Sequence, residues 1–107
     1  MANTTTISGK QILITGLDAD WLWATAIGST ACYLRSVTFI PSAANDRFIL
    51  HDGGIDAAEL FDTGIVSGTD ARTKYFADRG HRCIPTIDIS DCTLGTAANC
   101  KVILEVA

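Results

Sequence analysis

Stretches of five to eight residues rich in Thr, Val, Ile and aromatic side chains, broken by Gly, Asp, Asn and Pro, recur along the whole chain. No segment keeps apolar residues at helical spacing for three turns, so the repeating unit is a strand followed by a turn. Strands are expected near Ile7–Thr15, Trp21–Ala26, Cys32–Ile40, Arg47–His51, Ala58–Asp62, Arg72–Ala77, Cys83–Ile89 and Lys101–Val106. Eight short strands bounded by turn residues predict an all-β fold, a single-domain antiparallel β-sandwich or jelly roll spanning residues 1–107. The most ambiguous segment is "DAAEL" at 56–60, where Ala, Glu and Leu favour one helical turn instead. Neither repeats nor linkers interrupt the pattern.

A chain of 107 residues is long enough to bury roughly 65% of its unfolded surface and so to build a core without staples. The formal net charge is -4, and the 8 Lys and Arg residues are scattered. No basic stripe is present to neutralise a phosphate backbone, so no nucleic-acid partner is expected. The start "MANTTTISGK" has neither a charged leader region nor a long apolar run, which predicts a cytosolic chain with no membrane partner. The Asn3-Thr4-Thr5 sequon then has no consequence.

Four cysteines raise disulfide, metal and packing readings. No CxxC pair occurs. Cys83 shares period-2 register with Ile87 and Ile89, and Cys100 with Val102, Leu104 and Val106, so both thiols are expected on apolar strand faces as small hydrophobes, reduced and metal-free. His81, Cys83, Cys92 and Cys100 make a conceivable zinc set, but they lack the tight pairs that zinc sites use, and no cofactor is expected. In oxidising surroundings Cys32 could pair with any of the other three.

The stretch "FIPSAANDRFILHDGG" at 39–54 mixes titratable and turn residues. Pro41 lacks the N–H a ladder needs, Asn45 and Asp46 bond their own backbone readily, and Asp52-Gly53 is a strong turn signal. His51 and Asp52 are adjacent, so a strand would send them to opposite faces, which suits no relay pair. His81, in "DRGHRC", is expected to be solvated.

Two motifs invite functional readings. "ELFDTGIVSG" at 59–68 contains the Asp-Thr-Gly triad of pepsin-like and retroviral aspartic proteases, in which Asp62 would be the catalytic acid-base of a homodimer. Against it, Ile65 follows the triad where those proteases have a small residue. The later "GTDARTKYFADRG" is too charged for a flap tip. The expected role of the triad is a strand end with a Thr-Gly turn. Trp21 and Trp23 in "LDADWLW" occupy alternate positions. On a strand they would share one face, as core, as an interface with another subunit, or as a platform for a sugar ring.

The segments "LRSVTFIPSAANDRFILHDG" and "KYFADRGHRCIPTIDISDCTLGTAANCKVILEVA", with the polar start, resemble small virion proteins of tailed bacteriophages: β-sandwich domains that decorate capsids or form fibre and tail accessories. The likeness covers about half the chain and rests on a strand–turn rhythm rather than a catalytic motif. It implies a non-enzymatic structural subunit, assembled in a host cytoplasm and carried on the virion. Its expected partners are other virion proteins and further copies of itself, with a trimer as the expected oligomer. Composition agrees: 48% of residues are hydrophobic, mean hydropathy is +0.26, and a monomer of this size has too much surface to hide that content alone. Trp21 and Trp23 are the interface candidates. The competing readings are an Asp62 aspartic protease and a carbohydrate-binding module built on Trp21 and Trp23.

Overall fold

The computed structural model describes residues 3–28, 31–53, 58–76 and 80–107. Ten strands and one helical turn follow in chain order: β1 (Thr4–Ser8), β2 (Gln11–Thr15), β3 (Trp21–Leu22), α1 (Trp23–Ala26), β4 (Cys32–Ile40), β5 (Ile49–Asp52), β6 (Ala58–Asp62), β7 (Arg72–Tyr75), β8 (His81–Cys83), β9 (Pro85–Ile87) and β10 (Lys101–Val106). They form two antiparallel sheets. The first runs β1-β2-β10-β4-β7, with β8 also on β4; the second runs β3-β9-β5-β6. The chain is an all-β sandwich, as its strand–turn rhythm predicts.

β4 organises the first sheet. One side pairs with β10 from Lys101↔Ile40 to Val106↔Leu34. The other is shared, with β7 against Ser36–Phe39 and β8 against Cys32–Leu34. Strict alternation along β4 would put Leu34 on the opposite face from Val37 and Phe39, yet all three are fully buried. A bulge resolves this. Glu105 pairs with Ser36 and Val106 with Leu34, leaving Arg35 as an extra residue that reverses the phase of the strand and returns Leu34 to the core side.

The core forms where the inner faces meet. Ile12, Ile14, Val102, Leu104, Val37 and Phe39 from the first sheet join Leu50, Leu60 and Ile87 from the second. Phe39 stacks on Phe48, just before β5, with ring centroids 4.9 Å apart and planes 9° from parallel. Cys83 and Cys100 lie within this cluster, and all four cysteines are free thiols.

Three strand expectations need correction. Ile7–Thr15 is a hairpin, because Gly9 takes a φ of 61° and Ser8 pairs with Gln11 across a two-residue turn. Gly at that place reverses the chain without steric cost. Trp21–Ala26 is a two-residue strand that becomes a helical turn. Cys83–Ile89 divides at Ile84: β8 belongs to the first sheet, β9 to the second, and Ile89–Asp91 closes in a short 3-10 turn. Of the "DAAEL" segment, residues 56 and 57 lie outside the described residues, and Ala58–Leu60 is strand.

Candidate functional site

β6 ends one sheet and β7 ends the other, and the two run along the same side of the sandwich. Among the described residues, β6 pairs only with β5 and β7 only with β4. Each therefore has one edge with no strand partner among the described residues. Between them lies an open cleft of about 710 Å³, lined by Glu59–Asp62 and Thr73–Tyr75. Lys74 bridges it, its Nζ donating to the Leu60 carbonyl at 2.8 Å while standing 5.2 Å from the Phe76 ring centre. Tyr75 is 79% exposed, and Ile65, in the connection from β6 to β7, is 72% exposed. Large apolar side chains beside unpaired strand edges suit strand-to-strand or side-chain packing against another protein.

Asp62 lines this cleft, but its carboxylate is already engaged. The Arg47 guanidinium forks onto it, with Nε 3.0 Å from Oδ1 and Nη2 on Oδ2, and the Gly64 N–H donates to Oδ1 at 2.8 Å. The hydrogen bond from Arg47 holds the Asp62 carboxyl below its ordinary range, and the Gly64 N–H adds to the effect against the opposing influence of burial. An acid-base aspartate in a protease dyad must share a proton; this one is held ionised. Thr63 serves the same turn, its Oγ1 accepting from the Phe48 N–H at 3.0 Å and donating to the Gly64 carbonyl at 2.7 Å. Gly64 itself has a φ of 65°. Asp62-Thr63-Gly64 is thus a strand end and turn.

Trp21 and Trp23 do not form a surface platform. They are 2% and 3% exposed and meet edge to face, with centroids 6.0 Å apart and planes at 79°. Trp21 Nε1 donates to Thr5 Oγ1 at 2.9 Å. As interface candidates both are corrected to core: the chain turns helical at Trp23, so the two indoles approach the interior from different elements. At that exposure neither presents an open ring face as a platform for a sugar.

The titratable residues disperse. His51 is 3% exposed, and its Nε2 lies 3.0 Å from Oδ2 of Asp91, from the 3-10 turn after β9. Sequence spacing gave no sign of this pair, because its members stand 40 positions apart. Asp52 instead accepts from the Ile84 N–H at 2.9 Å, tying the end of β5 to the crossing between β8 and β9. His81 is exposed and stacks on Phe76 at 5.8 Å. Cys92 Sγ points at the Ile49 carbonyl and Cys100 Sγ at Asp46. Among the described residues no three His, Cys, Asp or Glu side chains group as metal ligands.

Among the described residues the most heavily bonded carboxylate belongs to Asp46, which is 1% exposed. Oδ2 accepts from the Ser42 N–H (2.8 Å), the Ser42 hydroxyl (2.7 Å) and the Ala43 N–H (3.2 Å), while Oδ1 accepts from the Gly95 N–H at 2.7 Å. Burial opposes ionisation, but these donors outweigh it and hold the group below its ordinary value. Asn45, with a φ of 74°, completes the turn. Asp46 therefore does more than close its own turn, since it also fastens the distant 94–96 loop.

Comparisons of the chain with protein-family models, with curated proteins and with solved structures find no match. Among the described residues no helix is long and apolar enough to cross a membrane.

Proposed function

We propose that this chain is a non-enzymatic structural subunit of a tailed-bacteriophage particle, a capsid decoration protein or a fibre or tail accessory, acting through many protein–protein contacts. The observation that carries the contact role is the cleft between β6 and β7, with its two open strand edges and the exposed Tyr75 and Ile65. Open edges left bare invite uncontrolled strand addition, and a symmetric partner covers them. Repeated contacts on a lattice turn individually weak binding into durable attachment through effective concentration. The assignment to a phage particle rests on the likeness of the strand–turn segments to small virion proteins, and the sandwich fold is compatible with it. Engagement of Asp62 by Arg47 and burial of both tryptophans remove the particular support for the protease and carbohydrate-binding alternatives.

The test is sedimentation and light scattering over a concentration series, with Tyr75→Glu and Ile65→Glu beside the unaltered chain, followed by co-sedimentation with phage particles. A defined oligomer, with a trimer expected, that weakens in both variants supports the reading. A strict monomer at every concentration with no affinity for any phage particle overturns it.

A further inference from the structure

The register of β4 against β8 sets Cys32 directly opposite Cys83. Directly opposed residues of an antiparallel pair have Cα atoms about 4.5–5.5 Å apart, inside the 4.4–6.8 Å range that a disulfide spans. The bulge at Arg35 matters here, because it places Cys32 and Leu34 on the core side, where Cys83 also lies. The two thiols differ in access. Cys83 is 3% exposed, whereas Cys32 is half-buried and borders an open groove of about 380 Å³ walled by Trp23, Ile27, Tyr33 and Val106.

We propose that Cys32 and Cys83 form a redox modification site, in which a low-molecular-weight disulfide such as oxidised glutathione converts the facing thiols into a cross-strand disulfide joining β4 to β8. The Cys32 thiolate attacks one sulfur of the reagent, forming a mixed disulfide and expelling one reagent thiolate. Cys83 then gives up its proton and attacks the Cys32 sulfur, expelling the second reagent thiolate. Overall the protein loses two hydrogens and gains one S–S bond, and the reagent is reduced to two thiols. The order of events follows from access, and the electrostatics agree. A hydrogen bond from Cys83 lowers the Cys32 thiol against the opposing pull of burial and Asp52, while that same contact, then burial, push Cys83 up. Cys32 is the attacking thiol and Cys83 the resolving one.

The bond would fasten a short strand. β8 has three residues and pairs only with β4 among the described residues. The cross-link would close a loop of about 50 residues in the unfolded chain, which raises the unfolding midpoint by roughly 10–20 °C.

The experiment treats the native full-length chain with excess oxidised glutathione and follows intact mass and non-reducing peptide maps. Expected are a loss of two hydrogens, a Cys32 peptide joined to a Cys83 peptide, and a midpoint that rises and returns on reduction. Cys83→Ser should stop at a stable glutathione adduct on Cys32, with Cys83→Ala as the alternative should the serine disturb folding. Cys32→Ser should leave Cys83 unmodified. An unmodified wild-type chain, a persistent adduct on wild-type Cys32, or a cross-link through Cys92 or Cys100 overturns the proposal. None of these outcomes bears on oligomerisation, so this site and the proposed structural role fail or stand separately.

Discussion

Replacing Asp46 with Asn changes one carboxylate oxygen to an amide with almost no change of shape, and the bond pattern gives the cost. Oδ2 serves the Ser42 N–H, the Ser42 hydroxyl and the Ala43 N–H, whereas Oδ1 serves the Gly95 N–H. The cheapest orientation of the amide keeps its oxygen at the Oδ2 position and turns its NH₂ toward Gly95, donor against donor. One charge-assisted bond is lost, and the others lose their charge, for about 2–3 kcal/mol in total. In a domain of this size that lowers the unfolding midpoint by roughly 10–20 °C. Asp46→Ala leaves the N–H groups of Ser42, Ala43 and Gly95 without their acceptor and should cost about 4 kcal/mol or more, a large share of a typical domain's stability.

Urea unfolding followed by tryptophan fluorescence suits the measurement, because Trp21 and Trp23 pass from 2% and 3% exposure into water. The slope with denaturant should hold while the midpoint falls. Acid supplies a second arm. The Asp46 carboxyl is held below its ordinary value, so its contribution is fully present above the unfolded value of about 3.9 and is lost as pH falls through the lower folded value. The gap between wild type and Asp46→Asn should therefore be widest near neutrality and close in acid. A variant within about 0.5 kcal/mol of wild type at neutral pH, or a gap that ignores pH, would refute this account of the loop.

Gly80→Ala should destabilise by at least about 2 kcal/mol in the same assay, because Gly80 has a φ of 84° and a Cβ there would lie 2.9 Å from the Tyr33 carbonyl carbon. Asp62→Asn should lower the thermal midpoint by no more than a few degrees, since the Arg47 pair is partly solvated; a pepstatin-sensitive peptidase activity abolished by this change would restore the protease reading. Alkylation of the native chain should label Cys32 first and leave Cys83 and Cys100 until unfolding. Cys92, whose thiol burial pushes up to about 11, should also react slowly; rapid native labelling of Cys83 or Cys100 would contradict their burial.

Strands bounded by clear turn residues are legible from sequence. Cys32–Ile40, Ala58–Asp62 and Lys101–Val106 form with the expected bounds. The Cys83–Ile89 expectation fails because a change of partner leaves little local trace. Between Cys83 and Pro85 the chain leaves one sheet for the other, yet "CIPTIDI" at 83–89 reads as one strand. Pro85 was the available signal, since proline disfavours continuing a ladder. The Gly9-Lys10 turn was similarly marked by its glycine. The Asp46 hub had half a signature: its own turn was readable, but its bond to Gly95 spans 49 positions, a separation that no turn rule reaches.

Alternate spacing puts Trp21 and Trp23 on one strand face, as core, interface or sugar platform; the helical turn at Trp23 brings both indoles into the core. Among the described residues, the large hydrophobics left exposed are Ile7, Leu22, Tyr33, Ile65 and Tyr75. Ile7, Leu22 and Tyr75 stand on β1, β3 and β7, each a terminal strand in its sheet order, and Ile65 follows the terminal strand β6. Four of these five thus stand at or next to sheet margins, where strand edges lack a partner, and Tyr33 on the central β4 is the exception. Docking there would cover side chain and backbone together. If the proposed interface forms there, charges introduced at Tyr75 and Ile65 should weaken self-association without lowering the unfolding midpoint of the monomer.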